Sequence, residues 1–316
     1  MNRVQALLVF VIFLFGVGCT HKPSTTLRVG LVNWIGYAPL YVAEAKGWLP
    51  NNIKIVDFPS NYDIIEALKL GTLESAALTL DEVLINYRDL NSYKAVWLID
   101  YSNGADAIVA APEIKSLQDL RHKRVAFEPK SVQEYLLDRA LQKGNLTRGD
   151  IIPKPLKYDE ALTAWKQKRV DAAATFEPIK TELINNGMHT VFDSSQIPYE
   201  IIDLLVVHNS LIKTFTLKKL IQAYQKGVTF IQADPDSSMQ IVANYLHITP
   251  REARDALMGV QLPGCSTNKH VYRSKALQKH IFKVASIVQE EGYVQYTPKI
   301  QNLFSFALID SCEESR

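Results

Sequence analysis

The sequence predicts an α/β protein of two lobes, each a mixed sheet flanked by helices, with two crossing strands as the hinge. Three observations predict it. A β-α-β-α-β pattern fills residues 27–79, it returns over residues 124–175, and a long apolar stretch between them suits a strand passing from one unit to the other. Strands alternating with helical patterns signal parallel pairing with helices on the faces of the sheet.

In order, Leu27–Val32 reads as a strand and Ala38–Lys46 as a helix stopped by Gly47. Ile53–Phe58 alternates as a strand, Tyr62–Leu70 is a helix stopped by Gly71, and Ser75–Thr79 is the third strand. The second unit has strands at Arg124–Phe127, Ile151–Leu156 and Val170–Thr175, with helices at Val132–Lys143 and Asp159–Gln167. The halves share wording: Glu66-Ala67-Leu68 precedes one small-residue strand and Glu160-Ala161-Leu162 precedes the other. Val96–Ala110 is the outgoing crossing strand and Asp203–His208 the returning one. The rest is helical: Leu217–Gln232, Ser237–Leu246, Pro250–Met258 and Ser274–Gly292, with Pro235 and Pro250 where a helix begins. Lobe one is therefore expected at 27–104 and 207–316, and lobe two at 105–206.

The first eighteen residues read as an export leader. Arg3 is followed by an apolar run from Ala6 to Val17, then by small residues up to Cys19. The run is too short for a stable membrane-spanning helix. Cys19 resembles the acylated cysteine of a bacterial lipobox, with a polar tether at 19–26. Gly16 departs from the leucine usual there, so an ordinary cleaved leader is the alternative. If Cys19 carries lipid, Cys265 and Cys312 remain as an even pair in an oxidising space, and a disulfide between them is expected.

With 316 residues, 47% hydrophobic and 22% charged, the chain is long enough for two lobes with a sizeable core. A net charge of +2 without clustered Lys/Arg argues against a nucleic-acid partner. Cys-x-x-Cys, His-x-x-x-His, Gly-x-Ser-x-Gly, the phosphate-binding Gly-x-x-x-x-Gly-Lys and the dinucleotide Gly-x-Gly-x-x-Gly are all missing from the sequence. No metal or cofactor is expected.

In open α/β sheets ligands bind beyond the carboxyl ends of the strands. Those ends carry Trp34 and Tyr37, then Asn61, then Thr79 and Asp81. The crossing strand adds Tyr101, Asn103 and Asp106, and the second unit adds Glu128, Ser131 and Glu177. Several of these residues also suit simple helix N-capping. Trp34, Asp106 and Glu177 are expected in one site, with Glu177 bonding the ligand directly.

Asn33-Trp34-Ile35-Gly36-Tyr37-Ala38-Pro39, Leu73–Leu80, Asp100–Ala110, Ser116–Leu120 and the Glu177-Pro178 after an Ala-rich strand together resemble the nitrate/sulfonate/taurine and thiamine-pyrimidine (NMT1-like) solute-binding proteins of ABC importers. The resemblance runs from Leu27 to His208, with a looser tail to about Tyr293. Phe176 stands where the family often has Trp. The resemblance implies a two-lobed periplasmic-binding fold of type II-like topology, no catalytic activity, and an inner-membrane permease as partner; a monomer is expected. Trp34, Tyr37, Tyr101 and Phe176 offer flat apolar faces, while Asp81, Asp106, Glu128 and Glu177 offer acceptors. That set suits a pyrimidine-like or amine solute. Nitrate or an aliphatic sulfonate such as taurine is the alternative, because helix N-termini can hold anions. A ligand-sensing module is a further alternative. So is an enzyme like the thiamine-pyrimidine synthase, although that enzyme uses a Cys-rich segment this chain lacks.

Overall fold

A computed structural model describes residues 26–295, 298–309 and 312. The leader and Cys19 lie outside the described residues. The first unit comprises β1 (Leu27–Leu31), α1 (Ala38–Ala45), β2 (Ile53–Asp57), α2 (Asn61–Lys69), β3 (Ser75–Thr79), α3 (Leu80–Ile85) and β4 (Tyr93–Ser102). The second has β5 (Asp106–Ala110), β6 (Arg124–Phe127), α4 (Val132–Lys143), β7 (Ile152–Pro155), α5 (Ala161–Lys166), β8 (Ala172–Phe176), α6 (Ile179–Asn185) and β9 (His189–Asp193). The chain then returns through β10 (Ile202–His208) and ends in α7 (Phe215–Ala233), α8 (Pro235–Leu246), α9 (Pro250–Leu257), β11 (Val260–Gln261), α10 (Cys265–Arg273), α11 (Lys275–Glu290) and α12 (Ile300–Leu303).

Two mixed sheets result. The first has strand order β11-β4-β10-β3-β1-β2 and the second β7-β6-β8-β5-β9. In the first, β1 runs parallel to β2 and β3, whereas β10 lies antiparallel between β3 and β4. In the second, β6 is parallel to β7 and β8, and β5 is antiparallel to β8 and β9. Central strands β3, β5 and β8 are buried along their whole length, consistent with their Ala- and Val-rich, non-alternating sequences.

Two expectations need correction. The outgoing stretch is not one strand: Asn103-Gly104-Ala105 divides β4 from β5, and Gly104 takes a φ of 116° there. Asn103 and Ala105 both donate backbone bonds to Gly259 O, so the break is anchored to the helical tail. The return also comes earlier than residue 207. Ile202–His208 pairs wholly within the first sheet, which puts the second passage between sheets at 194–201. The two passages are tied by side chains: Ser102 Oγ lies 2.7 Å from Ser194 Oγ, which accepts from Gly104 N at 2.6 Å.

Helix ends follow the sequence. Ser60 caps α2 through Asp63 N (3.1 Å), Asp234 caps α8 through Ser237 N (3.1 Å), and Thr249 caps α9, whose Glu252 completes a capping box. The tail packs on the first unit through α7, which lies against α1. Gly227 sits mid-helix in α7 because a Cβ there would come within 2.1 Å of Pro39 O. Cys265 and Cys312 form a disulfide, closing a sequence separation of 47 residues between α10 and the C-terminal segment.

Candidate functional site

The site starts from one rung of the first sheet. Antiparallel register puts Asp203 of β10 opposite Thr79 of β3 on one side and opposite Asp100 of β4 on the other. Side chains on one rung share a face, so three polar groups meet at the sheet's cleft end. Asp100 and Asp203 are thus neighbouring buried acids, and the charge of Asp203 adds to burial in holding the Asp100 carboxyl well above its ordinary range.

The loop after β1 lays two aromatic rings over this rung. Trp34 Nε1 donates to Asp100 Oδ2 (3.0 Å), and Tyr37 OH donates to Asp203 Oδ1 (2.7 Å). Tyr41 OH donates to the carbonyls of Val32 (3.2 Å) and Trp34 (3.1 Å), which fixes the loop. Gly36 makes the arrangement possible: a Cβ there would stand 2.1 Å from Asp100 Oδ2 and 2.2 Å from Trp34 Nε1. The Gly in Trp-Ile-Gly-Tyr thus clears room for the bond between Trp34 and Asp100.

At the end of β3, Asn61 Nδ2 donates to Glu82 Oε1 (2.7 Å) and Thr79 N donates to Glu82 Oε2 (3.0 Å). The second sheet contributes Asp106, whose backbone N–H donates to Ser102 Oγ (3.1 Å), and Phe176, paired with Asp106 across β5 and β8. Phe176 meets Trp34 edge-on at 5.6 Å between ring centroids, and Tyr158 lies 5.0 Å from Phe176. These rings divide the cleft. Inside is a small chamber of about 20 Å³ lined by Trp34, Tyr37, Asn61, Thr79, Asp106 and Asp203 among others. Outside is a cavity of about 640 Å³ reached from both lobes, with Asn33, Tyr158, Glu177 and His247 on its wall.

Five carboxylates, Asp81, Glu82, Asp100, Asp106 and Asp203, are at most 3% exposed. None of the five is in an ion pair among the described residues. Burial pushes Asp81 up to about 7, against the pull of the Thr79 hydroxyl, which is not within hydrogen-bond geometry. Burial also pushes Asp106 up to about 8, opposed mainly by Ser102 and helped by Asp203 and Asp81. Asp203 rises to about 6 by burial, while Glu82 and Asp100 stand well above the ordinary range for the same reason.

The sequence-predicted residues divide into two sets. Trp34, Tyr37, Asn61, Thr79 and Asp106 come together around the chamber, and Asp81 belongs to its carboxylate group. Tyr101 does not join them. It follows Asp100 on β4 and so points to the opposite face, where it meets Tyr199 edge-on at 5.4 Å. Asn103 is exposed in the break between β4 and β5. Ser131 caps α4: its Oγ accepts from Gln133 N (3.2 Å) and donates to Glu128 O (2.7 Å). Glu128 Oε2 accepts from Tyr158 N (3.1 Å), which holds the segment carrying Tyr158, and burial raises its carboxyl to about 7. Glu177 lines the outer cavity, not the chamber. It accepts from Thr181 N (3.1 Å) and pairs with Lys180 at 3.2 Å. Sequence reasoning missed Asp100, Asp203 and Lys180. For the two acids the signal was present: each is an acid set in an apolar run, Leu98-Ile99-Asp100 and Ile202-Asp203-Leu204.

Two lobes meeting over a small polar chamber, with both passages between them in the chamber's wall or tied beside it, define a two-lobed binding protein of the periplasmic type. The chain belongs to the NMT1/THI5-like family, whose model matches residues 34–238. Among proteins of similar sequence are a putative aliphatic sulfonates-binding protein of Escherichia coli strain K12, 27% identical over 191 residues (58% of this chain and 59% of that one), and a putative ABC transporter periplasmic binding protein of Brachyspira hyodysenteriae, 24% identical over 256 residues (72% and 73%). The chain spans about three fifths (59%) of the length of the sulfonates-binding relative. The crystal structure of the periplasmic aliphatic sulphonate binding protein SsuA from Escherichia coli shares the fold, with a TM-score of 0.73 at 18% identity, covering 89% of this chain and 92% of that one. None of these three is named as an enzyme.

Proposed function

We propose that the chain is the substrate-binding component of an ABC importer. It captures a small nitrogen-containing solute, pyrimidine-like or an amine, between its lobes and delivers it to an inner-membrane permease. It works as a monomer on the periplasmic or cell-surface side, held to a membrane by lipid on Cys19. One observation carries the choice of solute: the five buried acids in and beside the chamber have no cationic partner among the described residues, and both Asp81 oxygens and Asp100 Oδ1 lack a donor that a ligand can supply. The rings of Trp34 and Phe176, packed edge to face, give the chamber an apolar wall beside its acids.

Mass spectrometry of ligand released from purified protein, followed by calorimetry, tests the reading. A nitrogen base with micromolar or tighter affinity is the expected result. A nitrate or alkanesulfonate ligand overturns it. Replacing Cys19 with Ala is expected to release the protein from membranes, and unchanged membrane association would reject the anchor.

A second reading, an aliphatic sulfonate, is favoured by the names of the similar proteins. The starts of α2 and α3 at the cleft could bond a sulfonate's oxygens. Against it stand five buried acids beside the same ends, which would repel an anion.

A further inference from the structure

We propose that the chamber takes its ligand as a planar, donor-rich cation of the amidinium or guanidinium class, in exchange for protons held by its carboxylates when it is empty. This rests on the nitrogen-solute reading above and deepens it.

The first support is the inventory of unpartnered atoms. Asn61 and Thr79 line the chamber at 7% and 4% exposure, and Asn61 Oδ1 and Thr79 Oγ1 have no hydrogen-bond partner. Both oxygens of Asp81, fully buried two residues beyond Thr79, are likewise unpartnered. On the donor side, Gln133 Nε2, one residue beyond the lining Val132, is unpaired. A site dominated by orphaned acceptors asks for several N–H groups on one ligand. The second support is size: the chamber is small, about 20 Å³, which favours a compact ligand over a bulky tetrahedral head.

The third support is charge balance. Five buried carboxylates with no cationic partner among the described residues cannot all be ionised side by side. Every element around the chamber bears on this. The loop after β1 brings Tyr37, α2 brings Asn61, and α3 brings Asp81 and Glu82. Strands β4, β5 and β10 bring Asp100, Asp106 and Asp203. From the second unit come Glu128, Tyr135, Tyr158 and Glu177 with Lys180, whose charge reaches Asp106 only weakly. Arg139 is committed to Glu200. A metal does not fit the group: no set of three or more His, Cys, Asp or Glu among the described residues is placed to hold one. When the cation enters, carboxyl O–H bonds break, their protons go to buffer, and the carboxylates bond the ligand's N–H groups.

The test is calorimetry on the full chain at constant ionic strength, with millimolar guanidinium and methylguanidinium as probes. Urea, the neutral counterpart, and taurine are the comparisons. Titrations in two buffers of different ionisation enthalpy count the protons released. The proposal expects guanidinium to bind at least tenfold more tightly than urea, with proton release near pH 7. Affinity should rise as pH climbs from 5.5 to 8.5, by up to about tenfold per pH unit for each proton displaced. Asp81→Asn, verified as folded by circular dichroism, should lower both the cation preference and the proton count. Equal binding of urea and guanidinium, or cation binding without proton release, overturns the exchange and leaves the nitrogen-solute reading standing. Taurine binding in preference to both cations overturns the two together, and failure of every probe to bind overturns the proposal.

Discussion

Two buried acids in this molecule behave in opposite ways. Glu200, in the passage from β9 to β10, is 1% exposed yet fully partnered. It takes bonds from Arg139 Nε (2.6 Å), Tyr135 OH (2.9 Å) and Lys283 Nζ (2.7 Å). Asp81 is as deeply buried and has no partner for either oxygen. Burial pushes both carboxyls upward. At Glu200 the bonds from Arg139 and Lys283 outweigh it, and the carboxyl ends below its ordinary value. At Asp81 nothing outweighs it, and the carboxyl stands at about 7. Burial alone therefore does not mark a binding group. A satisfied acid holds the fold together, here α4 of the second unit to α11 of the tail, whereas an unsatisfied one waits for a partner.

The largest effect is expected from breaking the satisfied site. Arg139→Ala leaves Glu200 buried with only Lys283 and Tyr135. Removing one member of a buried ion pair costs about 3–5 kcal/mol, and the remaining partners place this case at the lower end. Denaturant unfolding of the ligand-free protein should show that loss, with ligand affinity changed far less. A loss below 1 kcal/mol would mean the Glu200 bonds do not tie the two regions.

Next is Gly36→Ala. The added methyl group must displace Asp100 or Trp34, and overpacking of this kind costs about 1–3 kcal/mol. Unlike Arg139→Ala, it should also weaken ligand binding tenfold or more, because Trp34 loses its anchor. Normal affinity in this variant would show that the bond between Trp34 and Asp100 does not position the ring.

The unsatisfied site should reveal itself by pH. A carboxyl raised in the folded state stabilises it fully below the unfolded value, near 4. That contribution is lost as pH rises through the folded value. For Asp203, Asp81 and Asp106, at about 6, 7 and 8, the window is therefore pH 4 to 8. The ligand-free protein should melt at lower temperature at pH 8 than at pH 5.5, by about 2–4 °C for each kcal/mol lost. Asp81→Asn should flatten this slope. Glu200 works with the opposite sign: its carboxyl is lowered, and its contribution is lost as pH falls through the carboxylate range. A slope unaffected by Asp81→Asn would remove Asp81 from the titrating group.

Much of this architecture was legible in the sequence, and the reasons are local. Strand periodicity, glycine stops and capping residues are short-range signals, and they located most strands and the long helices. The two crossings were seen but misplaced. An apolar run such as Val96–Ala110 does not disclose that Asn103-Gly104-Ala105 breaks it, because the break depends on Gly259, more than 150 residues on. The chamber's floor was hidden for a similar reason. Asp100 and Asp203 meet only through antiparallel register, which no single segment encodes. Tyr101 was placed in the site because a strand's facing cannot be read when both faces are apolar. Glu177 looked like a ligand group because it ends a strand beside a proline, and its bonds within α6 were not visible.

Glu177→Gln should therefore have the smallest effect, and it separates the two kinds of acid once more. The Gln side chain keeps an oxygen for Thr181 N and loses the ion pair with Lys180, which is 19% exposed. A loss of about 0.5–1 kcal/mol in stability is expected for a partly screened pair. Lys180 Nζ still donates to Gly104 O at 2.9 Å, so the break between β4 and β5 keeps its tie to α6. Because Glu177 faces the outer cavity and is already bonded, ligand affinity should change less than about threefold, against tenfold or more for Trp34→Ala. Calorimetry on the two variants with the same ligand measures the contrast. If Glu177→Gln loses as much affinity as Trp34→Ala, the ligand extends past the ring of Phe176 into the outer cavity, and Glu177 joins Asp81 among the groups that wait for a partner.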